Sequence, residues 1–242
     1  MEQDYFNLCD RQFDAAFDKI DKLARYPWVG CDFAKSSCRP LILGDSHYAT
    51  DGKNHSSEEI EEAKNWFKDK ETTRIVVNDI VKDKCNEATT YRMYEKMLET
   101  FVDISPENIK KFWSRVTFYN FIQRIMERSD EKTSDDDVAN GWRCLAGVIE
   151  VLHPTSILIF GIRNDRCSDK INRKEIRLED FDDDKNLVNG CKPRIGKIIF
   201  GDEVIPITLI QHPSQRFKTY KCEPWREYLE KRDPQMMDYL SK

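Results

Sequence analysis

A chain of 242 residues with 39% hydrophobic and 11% aromatic content has the material for one substantial core. Charged residues make up 34% and nearly cancel; the net charge of −5 excludes a wholly basic nucleic-acid binder but leaves room for a local basic face. No apolar run approaches the length of a membrane span and no apolar leader is legible, so a soluble, cytoplasmic protein with no membrane partner is expected.

In chain order, Phe6, Phe13, Phe17, Ile20 and Leu23 recur at helical spacing and predict an amphipathic helix over residues 2–25. "PLILG" reads as a short buried strand stopped by Gly44. "SSEEIEEAKNWFKD" opens on a capping box formed by Ser56 and Glu59 and predicts a helix, as does "TYRMYEKMLETFV". "SPENIKKFW" places Ser105 at an N-cap and Pro106 at the first helical position. "RVTFYNFI" is a second strand. The acids of "SDDDVANGWRCLAGVIEVL" suit the positive end of a helix that begins near Ser134 and is ended by Pro154. "TSILIFG" is a third strand. Residues 162–194 are polar and weakly patterned, which predicts a long insertion or loop. "GKIIFGDEVIPITLIQHPS" predicts two strands joined at Gly201 and Asp202, with Pro206 marking an edge or a bend. "EPWREYLEKR" is a closing helix.

Apolar strands alternating with helices predict an α/β fold: a three-layer α/β/α sandwich around a mainly parallel central sheet, as one domain over residues 1–242. The eight cysteines form no C-x-x-C pair and the histidines lack zinc-like spacing. Reduced thiols, several buried as small hydrophobes, are expected, with no metal and no cofactor.

In such sheets ligands sit beyond the carboxyl ends of the strands. That rule selects residues 44–48, 119–120 and 212–214, where polar side chains directly follow apolar runs.

Two families share features with these segments. "LILGDS" resembles the nucleophile block of the Gly-Asp-Ser serine hydrolases, with Ser46 as nucleophile. "GIRND" resembles their Gly-x-Asn-Asp block with one extra residue, and His212-Pro213 their His-Pro. The acid those enzymes place three residues before the histidine is Leu209 here. The uracil-DNA glycosylase superfamily is similar in both order and placement. "LILGDSHY" resembles its first motif, "FYNFIQ" its second-strand segment ending in a base-reading Asn, and "LIQHPSQRF" its His-Pro-Ser motif with the loop that enters the duplex. The resemblance spans about residues 39–232. Members with Gly-Gln-Asp-Pro-Tyr carry the water-positioning acid third, where Ser46 stands; those with Gly-Glu-Ala-Pro-Gly carry it second, as Asp45 does. The N-terminal C-x-x-C of the iron–sulfur branch is absent. These departures imply a divergent branch and leave the target base open.

The resemblance implies a monomeric, monofunctional DNA glycosylase with a uracil-DNA glycosylase-like fold, acting on duplex or single-stranded DNA. Asp45 would face the oxocarbenium-like sugar. His212 would donate to the departing pyrimidine oxygen. Asn120 would read the base edge, and Tyr48 or His47 would stack on the extruded base. Ser46 and Ser214 would bond phosphate or pocket groups. From "QRFKTYK", Arg216, Lys218 and Lys221 would meet phosphates and Phe217 would wedge into the stack. Lys185, Lys192, Arg194 and Lys197 add a second basic stretch without an intervening acid. Uracil or a modified pyrimidine would be released, the altered bases of phage DNA included, with antiviral defence as the consequent role. The same residues also admit bland roles: Asp45 as a turn residue, His212 as a packed strand-end histidine, Asn120 as a strand terminator. A serine esterase and an inactive DNA-binding relic of the same fold stay open as alternatives.

Overall fold

A computed structural model describes residues 5–50, 55–82, 89–128, 130–173, 175–213 and 220–242. Its strands are β1 (Trp28–Val29), β2 (Pro40–Gly44), β3 (His47–Thr50), β4 (Thr117–Asn120), β5 (Ile125–Arg128), β6 (Ser156–Phe160), β7 (Ile176–Asp183), β8 (Arg194–Phe200) and β9 (Glu203–Ile210). Its helices are α1 (Asp14–Phe17), α2 (Ser57–Trp66), α3 (Thr72–Val81), α4 (Thr89–Glu99), α5 (Pro106–Arg115), α6 (Asp135–Leu152), α7 (Cys222–Arg232) and α8 (Pro234–Ser241).

Seven strands form one sheet in the order β1-β4-β2-β6-β9-β8-β7. The centre is parallel: β2 pairs with β4 and β6, and β6 with β9. The flanks are antiparallel, β1 on β4, β8 on β9 and β7 on β8. From β2 the chain crosses to β4 on one side and later to β6 on the other. The carboxyl end of β2 is therefore a topological switch point, where the crevice of an open α/β sheet forms.

Alternation along the strands divides the core into two. Ile42, Phe118, Leu158, Phe160 and Ile210 face a layer that includes Val77 of α3, Leu98 of α4, Trp113 of α5, Leu229 of α7 and Leu240 of α8. Leu41, Leu43, Tyr119, Ile157, Ile159 and Leu209 face Val138, Trp142, Leu145 and Ile149 of α6. Helices thus cover both faces, which is why "LIL" and "ILIF" are continuously apolar rather than alternating. Each fully buried aliphatic of this kind contributes roughly 1.5–3 kcal/mol.

Local signals start the helices where the sequence places them. Ser56 and Glu59 form a capping box on α2, and Ser134 and Asp137 one on α6. The Ser105 hydroxyl accepts from the Asn108 amide at the start of α5. Among the described residues no helix is long and apolar enough to cross a membrane.

The structure departs from expectation in four places. The N-terminal segment is not one helix but a short 3-10 turn, Phe6–Leu8, and the single turn of α1. Between them Asp10 accepts from the Gln12 amide, and Cys9 bridges Gly30 at the sheet edge, so strand-like pairing displaces helix there. Residues 162–194 are not simply a loop, since they contain β7, one of the two edge strands of the sheet. Pro206 lies on an internal strand, yet just before Ile207, the first β9 residue paired with β6, so its missing N–H falls where no second neighbour needs it. Finally, α3, α8, the edge strand β1 and a small parallel sheet of β3 and β5 carried no recognised sequence signal.

Candidate active site

Four polar residues close the carboxyl ends of the four parallel strands. Asp45 follows β2, Asn120 ends β4, Asn164 follows β6, and His212 follows β9. The backbone fixes these ends to one another. The Phe121 and Ile122 amides donate to the Gly44 and Asp45 carbonyls at 2.9 and 2.8 Å, and the Gly161 amide donates to the Ile210 carbonyl at 2.8 Å.

Asp45 is held through both carboxylate oxygens. Asn164 Nδ2 donates to Oδ1 at 2.9 Å, and the Tyr48 hydroxyl approaches Oδ2 at 3.4 Å. Asn164 sits in the 3-10 turn Ile162–Asp165 and is buried. Its carbonyl accepts from the Trp142 indole at 3.0 Å, which ties the turn to α6. The turn starts at Gly161 with φ 135°, a backbone that side-chain-bearing residues rarely adopt. A Cβ there would stand 2.7 Å from Asn164 Nδ2 and 3.3 Å from Asp45 Oδ1. From the sequence Asn164 was noted only inside "GIRND", in the likeness to the Gly-Asp-Ser hydrolases, and was not placed in the glycosylase site. Its signal was the same one that marked the others, a Gly and polar residues directly after an apolar strand.

His212 lies close enough to Asp45 for the two to interact electrostatically. Burial holds its imidazole below the ordinary range, and the Asp45 charge works in the opposite direction. The ring is therefore neutral at neutral pH, with one nitrogen as donor. Asn120 is buried against β2. A Cβ on Gly44 would overlap its side-chain oxygen, so glycine at the end of β2 is what admits Asn120 to the site. The Gln123 side chain donates to the Asn120 carbonyl at 2.6 Å and accepts from the Ala24 amide at 3.0 Å. Arg25 completes this support with donations to the Phe67 carbonyl at 3.0 Å and to the Gln123 carbonyl.

The remaining expected residues divide. Tyr48 belongs to the cluster. His47, its neighbour on β3, points to the other face of the strand. Its ring packs on Phe67 at 5.1 Å between centroids, and Nε2 lies 3.4 Å from the Thr73 hydroxyl. Burial, reinforced by the Arg25 charge, lowers its pKa to about 3. A ring enclosed in this way braces β3 and does not offer a face to a base, which corrects the base-stacking expectation for His47. The Ser46 hydroxyl is buried and has no hydrogen-bond partner among the described residues, so it is not bonded to His212. Tyr119 and Phe118 are core, on opposite faces of the sheet. Lys221 is exposed at the N-cap of α7, its carbonyl accepting from Asn189 Nδ2 at 3.0 Å. Ser214, Arg216, Phe217 and Lys218 lie outside the described residues.

The basic stretch 185–197 is largely neutralised. Arg194 pairs with Asp183 at 2.9 Å and with Asp165 at 3.5 Å, Lys197 with Asp180 at 2.8 Å, and Lys192 with Asp183 at 3.9 Å. The acids come from β7 and the 162–165 turn, so a stretch free of acids in sequence is not a continuous cationic face. Among the described residues no group of three His, Cys, Asp or Glu side chains is placed to hold a metal ion.

A carboxylate fixed by an amide, beside a desolvated neutral imidazole, suits a reaction that builds positive charge at one atom and negative charge a few bonds away. No protein-family model matches this chain, and no curated protein matches its sequence.

Proposed function

We propose that the chain is a monofunctional DNA glycosylase of a divergent uracil-DNA glycosylase branch, releasing uracil or a modified pyrimidine by hydrolysis. The observation that carries this reading is that Asp45 and His212, two motif residues 167 positions apart, stand at the carboxyl ends of β2 and β9, either side of β6, within electrostatic range of each other. Cleavage of the N-glycosidic bond leaves an oxocarbenium-like sugar and an anionic base. Asp45 stabilises the cation and orients water on its far side; the Asn164 amide and Tyr48 hydroxyl hold the carboxylate for this task. His212, kept neutral by burial, donates an N–H to the departing base oxygen without having to lose a proton. Asn120 offers a donor and an acceptor to the base edge, and Tyr48 is the aromatic nearest the carboxylate among the motif residues. No nucleophilic lysine enters the scheme.

The Gly-Asp-Ser esterase is the weaker reading because the Ser46 hydroxyl is not engaged by a base. The deciding experiment incubates the protein with duplexes carrying uracil, 5-hydroxymethylcytosine or its glucosylated form, then cleaves abasic sites with alkali. Strand breaks on one of these support the proposal, and breaks confined to the modified cytosines point to phage DNA as the target. DNA binding without abasic sites on all three indicates a binding relic. Ester hydrolysis lost in Ser46→Ala would replace the proposal with the esterase.

A further inference from the structure

The hairpin loop joining β7 to β8, residues 184–193, stands at the same edge of the sheet as the candidate site. Arg194, the first residue of β8, pairs with Leu209 near the carboxyl end of β9, so the loop before it projects beyond the strand ends beside His212. The loop is firmly built. "VNGC" makes a tight turn with φ 51° at Asn189 and 76° at Gly190, closed by the Val188–Cys191 bridge. That is the Asn-Gly pattern of a type I′ hairpin. Asp184 is buried, takes the Tyr228 hydroxyl at 2.7 Å, and also accepts from the Asn186 amide. Asn189 reaches the Lys221 carbonyl at 3.0 Å. Arg194 links the loop's base to the turn that carries Asn164, through Asp165. Val188 folds into the core, while Leu187 is left 66% exposed, the most exposed large hydrophobic side chain described.

An order this costly for a loop whose apolar tip faces water calls for a surface that covers the tip. The charges nearby indicate which one. Lys185, Arg163 of the Asn164 turn, and Lys221 at the start of α7 are exposed, and none forms an ion pair among the described residues. Of the adjoining acids, Asp183 is paired with Arg194; Asp184 is buried and accepts from the Tyr228 hydroxyl while keeping its charge, and Asp182 is exposed at the end of β7. An exposed leucine on a loop that carries the unpaired Lys185, with the unpaired Arg163 and Lys221 on segments tied to that loop, fits a duplex, with phosphates meeting the cations and the apolar tip entering a groove or base step.

We propose that this loop is a second contact to duplex DNA, with Leu187 as its apolar probe and Lys185 and Arg163 on flanking phosphates. The proposal rests on the glycosylase reading for its partner and adds to it an element outside the His-Pro-Ser loop. Its test is binding of the full chain to a labelled duplex and to the corresponding single strand across a salt series, for wild type, Leu187→Ser, Lys185→Ala and Val204→Ser. Val204 is 60% exposed but lies at the opposite end of β9 and serves as the control for loss of an exposed apolar side chain. Leu187→Ser should weaken duplex binding at least fivefold and leave single-strand binding within twofold. Lys185→Ala should lower the salt slope by about 0.9. Val204→Ser should match wild type. Wild-type duplex affinity in both loop variants would overturn the inference and leave the glycosylase reading standing. An equal loss on both DNA forms in Leu187→Ser would overturn the assignment to duplex. A wild-type protein that neither binds DNA nor releases a base would remove the glycosylase reading and this inference together.

Discussion

Asn164 donates to Asp45 Oδ1 at 2.9 Å across 119 residues of chain, so the carboxylate at the end of β2 is oriented by a side chain supplied from the end of β6. One oxygen is committed to the amide, and Oδ2 remains for substrate or water beside the weaker Tyr48 contact. Asn164→Ala should leave DNA affinity within twofold and slow single-turnover base release about 10- to 100-fold, the scale of misplacing a reacting group. Asn164→Asp should slow it more, because a second carboxylate repels the first. Equal rates in wild type and both variants would remove Asn164 from the mechanism.

His212 supplies a pH signature. Its pKa is lowered by burial and partly restored by Asp45, so the neutral donor form persists as pH falls through the ordinary imidazole range near 6.5. Base release should therefore show no step as pH falls from about 8 through about 6.5, where an ordinary imidazole would become protonated. In Asp45→Asn the restoring charge is gone, and the His212 pKa should move further down. Imidazole chemical shifts followed by NMR through an acid titration check this directly. An upward move in Asp45→Asn would show that the two groups do not interact as described.

Much of the parallel core was legible because a strand buried on both faces leaves a continuous apolar run, and because each run stops at a polar residue that does something else. Asp45, Asn120 and His212 were found in that way. Asn164 obeyed the same rule but was read only in the hydrolase likeness of "GIRND" and otherwise absorbed into a polar stretch that read as an insertion. Strand β7 was hidden because Ile176, Leu178 and Phe181 are its main apolar contributions among four acids, and an edge strand needs few. The apparent cationic face failed for a related reason. Lys197 and Arg194 meet Asp180 and Asp183 across an antiparallel ladder, and that register is not written in either segment alone. His47 and Tyr48 were indistinguishable as neighbours until β3 paired with β5 and sent them to opposite faces.

Buried neutral His47 should make the protein acid-sensitive. Its folded-state pKa of about 3 lies below the unfolded value of 6.5. Between these the unfolded chain binds a proton that the folded one refuses, so stability present above pH 6.5 is lost as pH falls, at about 1.4 kcal/mol per pH unit. His47→Gln removes the titrating group and should flatten the slope of unfolding free energy between about pH 6 and pH 4 by that amount. Urea denaturation at several pH values measures it; parallel slopes in the two proteins would mean that His47 is protonated in the fold.

Two glycines separate the support of Asp45 from that of Asn120, the proposed base reader. Gly161→Ala forces a side chain into φ 135° and pushes its Cβ against Asn164 and Asp45. The strain should cost about 2 kcal/mol, or about 4–8 °C in Tm for a chain of this size. Base release should slow because Asp45 is displaced, whichever pyrimidine is offered. Gly44→Ala has no dihedral penalty of that kind. Its Cβ instead meets the Asn120 side chain, which must turn away from the end of β2. The expected outcome is a narrowed rate ratio between preferred and non-preferred bases, since the lost contacts are to the base edge. Competition assays with paired substrates read the ratio, and thermal melts read the strain. If Gly44→Ala lowers all rates alike and leaves the ratio intact, Asn120 supports the end of β2 and does not read the base.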